Sequence, residues 1–135
     1  MVLSLAEREY LQMVGAAYDG LPDEMCGLMA APPGSPRVER FYPCRNAAES
    51  SRVYTLDPGD HLKADRDAEA QGLAIVGVAH SHTHSDAYPS PTDVGQAPDP
   101  AWHYVIVSLR DAEPVLRSFR IVDQSITEEP VALRR

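Results

Sequence analysis

The sequence predicts an α/β fold in which helices flank a mixed β-sheet. Two observations carry that expectation. Short apolar runs bounded by turn residues alternate with stretches patterned at helical spacing, and one run, residues 73–79, is apolar almost without interruption. Such a run marks a strand covered on both faces. A chain of 135 residues can bury a core without disulfides, so one domain spanning 1–135 is expected.

Taken in order, Ser4-Leu5-Ala6-Glu7 has the form of a capping box, the Ser hydroxyl taking an orphan backbone N–H and Glu7 reaching back. Leu11, Val14 and Tyr18 follow at helical spacing, and Gly20 supplies a stop. Residues 25–31 read as a buried strand. After the turn Pro32-Pro33-Gly34-Ser35-Pro36, residues 37–43 alternate in strand fashion, and a third short strand is expected at 52–56. Asp57-Pro58-Gly59-Asp60 starts a second helix, with Asp as cap and Pro in the first turn, running to Gln71 and stopping at Gly72. The apolar strand 73–79 comes next, then a helix starting at Ser90. Strands 102–109 and 114–122 follow, joined by a polar loop, and the tail from Thr127 is expected to form a last short strand or an extension.

Composition removes several function classes. A net charge of −8 argues against a phosphate-binding face, so no nucleic-acid partner is expected. No apolar run reaches the roughly 18–20 residues of a membrane span. The N-terminus lacks the basic and apolar regions of a signal peptide, which makes the cytoplasm the expected location. Cys26 and Cys44 stand in no metal-type spacing and read as reduced thiols.

The chemistry is concentrated between residues 78 and 93. Side chains two apart on an extended chain share a face, so His80 and His82 can aim both imidazoles at one metal ion. Asp93 can supply a carboxylate because the chain must turn after Pro89 and start a helix at Ser90. Two histidines and a carboxylate form a catalytic zinc set that leaves a fourth position for water, which zinc makes acidic at neutral pH. Ser90-Pro91-Thr92-Asp93 is equally a helix N-cap with a carboxylate near the positive helix end, and both roles can hold. His84 lies on the same face and stays open as a competing ligand. Cys26 reads as a packed residue beside the site, His61 and His103 as helix-surface and strand residues, and Trp102 and Tyr104 as core.

His80-x-His82, seven residues, Ser90, two residues and Asp93 together resemble the motif of the JAMM (MPN-plus, JAB1/Mov34) metallopeptidases. The motif's four fixed positions would coincide by chance in about one such chain in a thousand. The segment Glu24-Met25-Cys26-Gly27-Leu28-Met29 is similar to the Glu-bearing first strand of that family. The resemblance implies a single MPN (cytidine-deaminase-like) domain in which His80, His82 and Asp93 ligate one zinc ion. It further implies that Glu24 is the general acid/base and that Ser90 hydrogen-bonds the tetrahedral oxyanion. One departure is Thr83, where many members have Pro after the second His.

Within the family the chain is most similar to bacterial peptidases acting on ubiquitin-like sulfur-carrier proteins. The phrases His80-Ser81-His82-Thr83, Ala87-Tyr88-Pro89-Ser90, Arg120-Ile121-Val122-Asp123 and Glu128-Glu129-Pro130-Val131 carry this likeness. It implies hydrolysis of an amide between a carrier's C-terminal Gly-Gly tail and cysteine, releasing free cysteine for biosynthesis. The segments that grip ubiquitin in deubiquitinating members correspond here to the short stretches 46–52 and 94–101, which suit a narrow extended tail. Two alternatives remain: a non-catalytic scaffold of the same fold, or a peptidase or isopeptidase acting on another ubiquitin-like protein. A zinc deaminase is disfavoured because the Pro-Cys-x-x-Cys ligand pair is absent.

Overall fold

In the computed structural model, which describes residues 2–135, a six-stranded mixed sheet is built in the order β3-β2-β4-β5-β6-β7. The elements are β1 (Leu3–Ala6), α1 (Glu7–Asp19), β2 (Cys26–Ala31), β3 (Arg40–Cys44), α2 (Pro58–Ala70), β4 (Ala74–His82), α3 (Pro91–Gly95), β5 (His103–Ser108), β6 (Val115–Val122), β7 (Ser125–Glu129) and β8 (Val131–Arg134). Only β4 and β5 pair in parallel within that sheet; its other neighbours are antiparallel. The expected mixed α/β architecture, with three helices among the described residues, is what the chain adopts.

The central strands are covered on both faces because alternate residues feed two separate cores. Ala79, Val105 and Val107 join one cluster with Met13 and Ala17 of α1. Val78, Tyr104 and Ile106 point the other way, into a cluster with Ala64 of α2 and Phe119 of β6. Period-2 alternation then places His80 and His82 on the face of Val78, under the α2 side of the sheet. The strand runs past residue 79 to His82, so both histidines lie inside β4 rather than beyond its end.

Several expectations are corrected. Ser4 caps no helix: it lies in β1, which pairs in parallel with β8, and its hydroxyl accepts a hydrogen bond from Arg134 Nη1 at 2.6 Å. The cap position of α1 is Ala6, with no side-chain bond. Leu3 and Leu5 are both fully buried, and that alternating burial selects strand over helix. Helix α1 packs through Met13 and Ala17, while Leu11 and Tyr18 face solvent. Residues 52–56 form a loop with one isolated bridge, Asn46 to Leu56, instead of a strand. The tail, expected as a short strand or an extension, makes two strands, the second of which (β8) pairs with β1. At α2 the Asp57 carboxylate accepts the Asp60 N–H at 3.0 Å, and Gly72 adopts φ +73 after the helix end, as its sequence implied.

Gly77 allows β4 to approach β5. A Cβ there would collide with the His103 carbonyl and the Met29 side chain. Replacing Gly77 with Ala is expected to lower unfolding stability by about 1–3 kcal/mol through overpacking, read as a reduced urea midpoint at unchanged slope. An unchanged midpoint would mean that β4 and β5 sit further apart.

Candidate metal centre and active site

Two hydrogen bonds place the site. Met25 donates its N–H to Ser81 Oγ at 2.7 Å, and Ser81 donates its N–H to the Met25 carbonyl at 2.9 Å. They continue the antiparallel register in which Cys26 faces His80, so Glu24 falls opposite His82. Residues 24, 26, 80 and 82 thereby share one face of the sheet.

His80 Nε2, His82 Nε2 and Asp93 Oδ2 form a near-equilateral triangle, with edges of 3.2, 3.2 and 3.0 Å. Ligands on a tetrahedral zinc ion at 2.0–2.1 Å would stand roughly 3.3–3.4 Å apart, so the donor set fits such an ion after a slight expansion. Among the described residues this is the group that could hold a metal. His82 Nδ1 lies 2.6 Å from the Asp86 carbonyl. A carbonyl only accepts, so Nδ1 carries a proton, and Nε2 is the nitrogen that would coordinate a bound metal. The His80 ring stacks on Tyr54, with centroids 4.5 Å apart and planes 25° from parallel, and its Nδ1 has no hydrogen-bond partner in the structure.

Asp93 serves the helix and the centre at once. Ser90 Oγ accepts the Asp93 N–H at 3.1 Å, and Asp93 Oδ2 accepts the Ser90 N–H at 2.9 Å. This reciprocal capping box fixes the first turn of α3 and with it the carboxylate. The Ser90 hydroxyl hydrogen has no acceptor among the described residues, leaving it available to a ligand. Burial would push the Asp93 carboxyl up, but hydrogen bonds from His80, His82 and the Ser90 amide outweigh it and hold the group well below the ordinary carboxylate range. Burial lowers the His80 pKa and so favours the neutral imidazole a metal requires.

Glu24 is 4% exposed, and its Oε1 has no hydrogen-bond partner. Burial is the main reason its carboxyl is pushed up to about 7; His82 opposes the shift and Asp93 adds to it. A groove of about 720 Å³ opens on its side of the site, between the end of α1 and the segment from Cys44 to Glu49. His84 is exposed and stands outside the triangle. Cys26 is buried, its thiol pushed up to about 12 mainly by burial, and it donates to the carbonyls of Cys44 and Arg45. It packs as a buried, protonated thiol. His61 pairs with Asp65 on the surface of α2, and His103 is buried against Glu129 at 2.6 Å.

Sequence reasoning missed Tyr54, Ser81 and Asn46. The Ser81 role follows from its place between two ligands on a paired strand. Tyr54 and Asn46 belong to the 46–56 loop, part of which the sequence patterns as a strand, and no local pattern marks their contacts.

Residues 6–122 match the family model described as prokaryotic homologs of the JAB domain, and the chain belongs to that family. Over 120 residues it is 50% identical to the CysO-cysteine peptidase of Mycobacterium tuberculosis, covering 88% of this chain and 82% of that protein. It is also 39% identical over 95 residues to the desampylase of Haloferax volcanii, covering 70% of this chain and 68% of the relative. Among solved structures, a protein from Desulfitobacterium hafniense matches with a TM-score of 0.90 and 33% identity, over 100% of this chain and 94% of that one.

A carboxyl whose pKa is raised by the fold takes stability away as pH climbs from its ordinary 4.5 to about 7. With metal removed by a chelator, Glu24→Gln is therefore expected to stabilise the protein by about 1–3 kcal/mol at pH 8 and by much less at pH 5. Urea denaturation at the two pH values measures this. Equal stability of the two proteins at pH 8 would show that Glu24 bears no burial penalty.

Proposed function

We propose that the chain is a zinc-dependent peptidase that hydrolyses the C-terminal amide of a ubiquitin-like sulfur-carrier protein, releasing cysteine. The observation that carries the hydrolytic part is the triangle of His80, His82 and Asp93 with the protonatable Glu24 beside it. Its 50% identity to a protein named CysO-cysteine peptidase supports the substrate. When bound, zinc supplies Lewis acidity, polarising a carbonyl and making water acidic enough to attack at neutral pH.

The residues of the chain supply the rest. Glu24, buried opposite His82 beside the three converging ligands, takes the proton of the attacking water and returns it to the leaving nitrogen. The Ser90 hydroxyl donates to the oxygen that becomes negative when the scissile carbonyl turns tetrahedral. The Asp86 carbonyl keeps His82 in the tautomer that leaves Nε2 unprotonated. A Gly-Gly tail suits the site because glycine lets backbone approach closely. A scaffold role is disfavoured, since a protein without chemistry has no need to bury an unpartnered Glu24 beside three converging ligands. Action on a different protein conjugate is a second reading, drawn from the likeness to the desampylase.

The test uses zinc-loaded protein and a purified carrier ending in Gly-Gly-Cys, with released cysteine measured by mass spectrometry. Shortening of the carrier by one residue is expected, and Glu24→Gln is expected to keep one zinc while lowering the rate by about 10²–10⁴. An intact carrier with zinc confirmed bound would refute the substrate assignment. Loss of zinc from Glu24→Gln would mean that the residue is a ligand.

A further inference from the structure

We propose that Asn46 is the positioning residue for Glu24: its side-chain amide staples the 46–55 loop into a clamp that holds the Glu24 backbone on both sides. This inference rests on the reading of Glu24 as the proton-transferring group.

Every hydrogen-bonding position of that one amide is used. Nδ2 donates to the Glu24 carbonyl at 3.0 Å and the Val53 carbonyl at 3.1 Å, with the Ser50 carbonyl a longer third partner at 3.4 Å. Oδ1 accepts the N–H groups of Ala48 and Thr55, both at 3.0 Å. Three carbonyls on one side and two N–H groups on the other leave no freedom to flip the amide. The loop so tied then acts on the base, because the Ser50 carbonyl accepts the Glu24 N–H at 2.8 Å. Glu24 thus has its N–H held by the loop and its C=O held by Asn46 itself. Thr83 fastens the same loop to the end of β4, donating to the Ser51 carbonyl at 3.0 Å, a bond that proline could not make.

Glu24 precedes β2, and the Met25–Ser81 bonds that continue the register stop one residue short of it, so its own N–H and C=O lie outside the ladder. Its carboxyl is buried with Oε1 unpartnered, so no hydrogen bond to that oxygen orients it. Together with the Met25–Ser81 register, the backbone clamp fixes the direction of the side chain. The same loop brings Tyr54 onto the His80 ring, so one staple positions material on both flanks of the centre.

Two variants separate this from a general folding role. Asn46→Ala removes donors and acceptor; Asn46→Asp keeps the acceptor for Ala48 and Thr55 but loses the donor to Glu24. On the carrier substrate, both are expected to lower kcat about 10- to 100-fold, as misplacing a catalytic group does, with KM and zinc content unchanged. In hydrogen exchange, the Glu24 amide is expected to exchange at least about tenfold faster while the buried amides of Val105 and Ile106 keep their protection. Wild-type kcat in both variants would overturn the proposal. So would zinc, KM and core protection failing together with kcat, which would make Asn46 a general folding residue. If the wild-type protein leaves the carrier intact, the peptidase reading fails, and exchange decides this one: faster exchange at Glu24 alone upholds the clamp, and unchanged exchange refutes it.

Discussion

The paired hydrogen bonds between Met25 and Ser81 set the relation on which the site depends. Ser81 sits between two candidate ligands, and Met25 follows the candidate base. Joining them transmits the register of β2 on β4 directly into the spacing between Glu24 and the histidines. A slip by one residue would turn Glu24 to the opposite face, toward α1 and away from the triangle. Because Ser81 is wholly buried, both bonds are shielded from water, where leaving either donor unmet costs about 1–3 kcal/mol.

Other parts of the molecule serve this register. The parallel pairing of β4 and β5 puts a core on each side of the histidine strand, so the imidazoles stand on a support that cannot twist independently of the sheet. The short helix α3 would be marginal by itself, yet its capping box makes one carboxylate both the end of the helix and a corner of the triangle. At the far end of β5, His103 and Ser118 both bond the buried Glu129 carboxylate, tying β5, β6 and β7 together away from the chemistry.

The features legible in the sequence were those with a period. Alternation placed His80 and His82 on one face, and the apolar run announced a doubly covered strand. The Ser90-Pro91-Thr92-Asp93 cap was readable with both of its meanings. What periodicity could not show were bonds between side chains and distant backbone. Asn46 satisfies groups from residue 24 to residue 55, and nothing local distinguishes that from an ordinary loop asparagine. Ser4 misled for the opposite reason: a good capping pattern was overruled by a strand partner 128 residues away, Ala132. The helical spacing of Leu11 and Tyr18 was real, but tertiary packing chose Met13 and Ala17 for the core. Glu24 was marked chiefly by family resemblance, and its physical reason emerged only with the register.

Anomalous diffraction at the zinc edge, from crystals of the protein with one equivalent of zinc, addresses the central claim most directly. The account predicts a single strong peak about 2.0–2.2 Å from His80 Nε2, His82 Nε2 and an Asp93 oxygen, with the Glu24 carboxylate beyond bonding distance. A peak ligated by Glu24 or His84 in place of Asp93, or no peak between the two histidines, would contradict it.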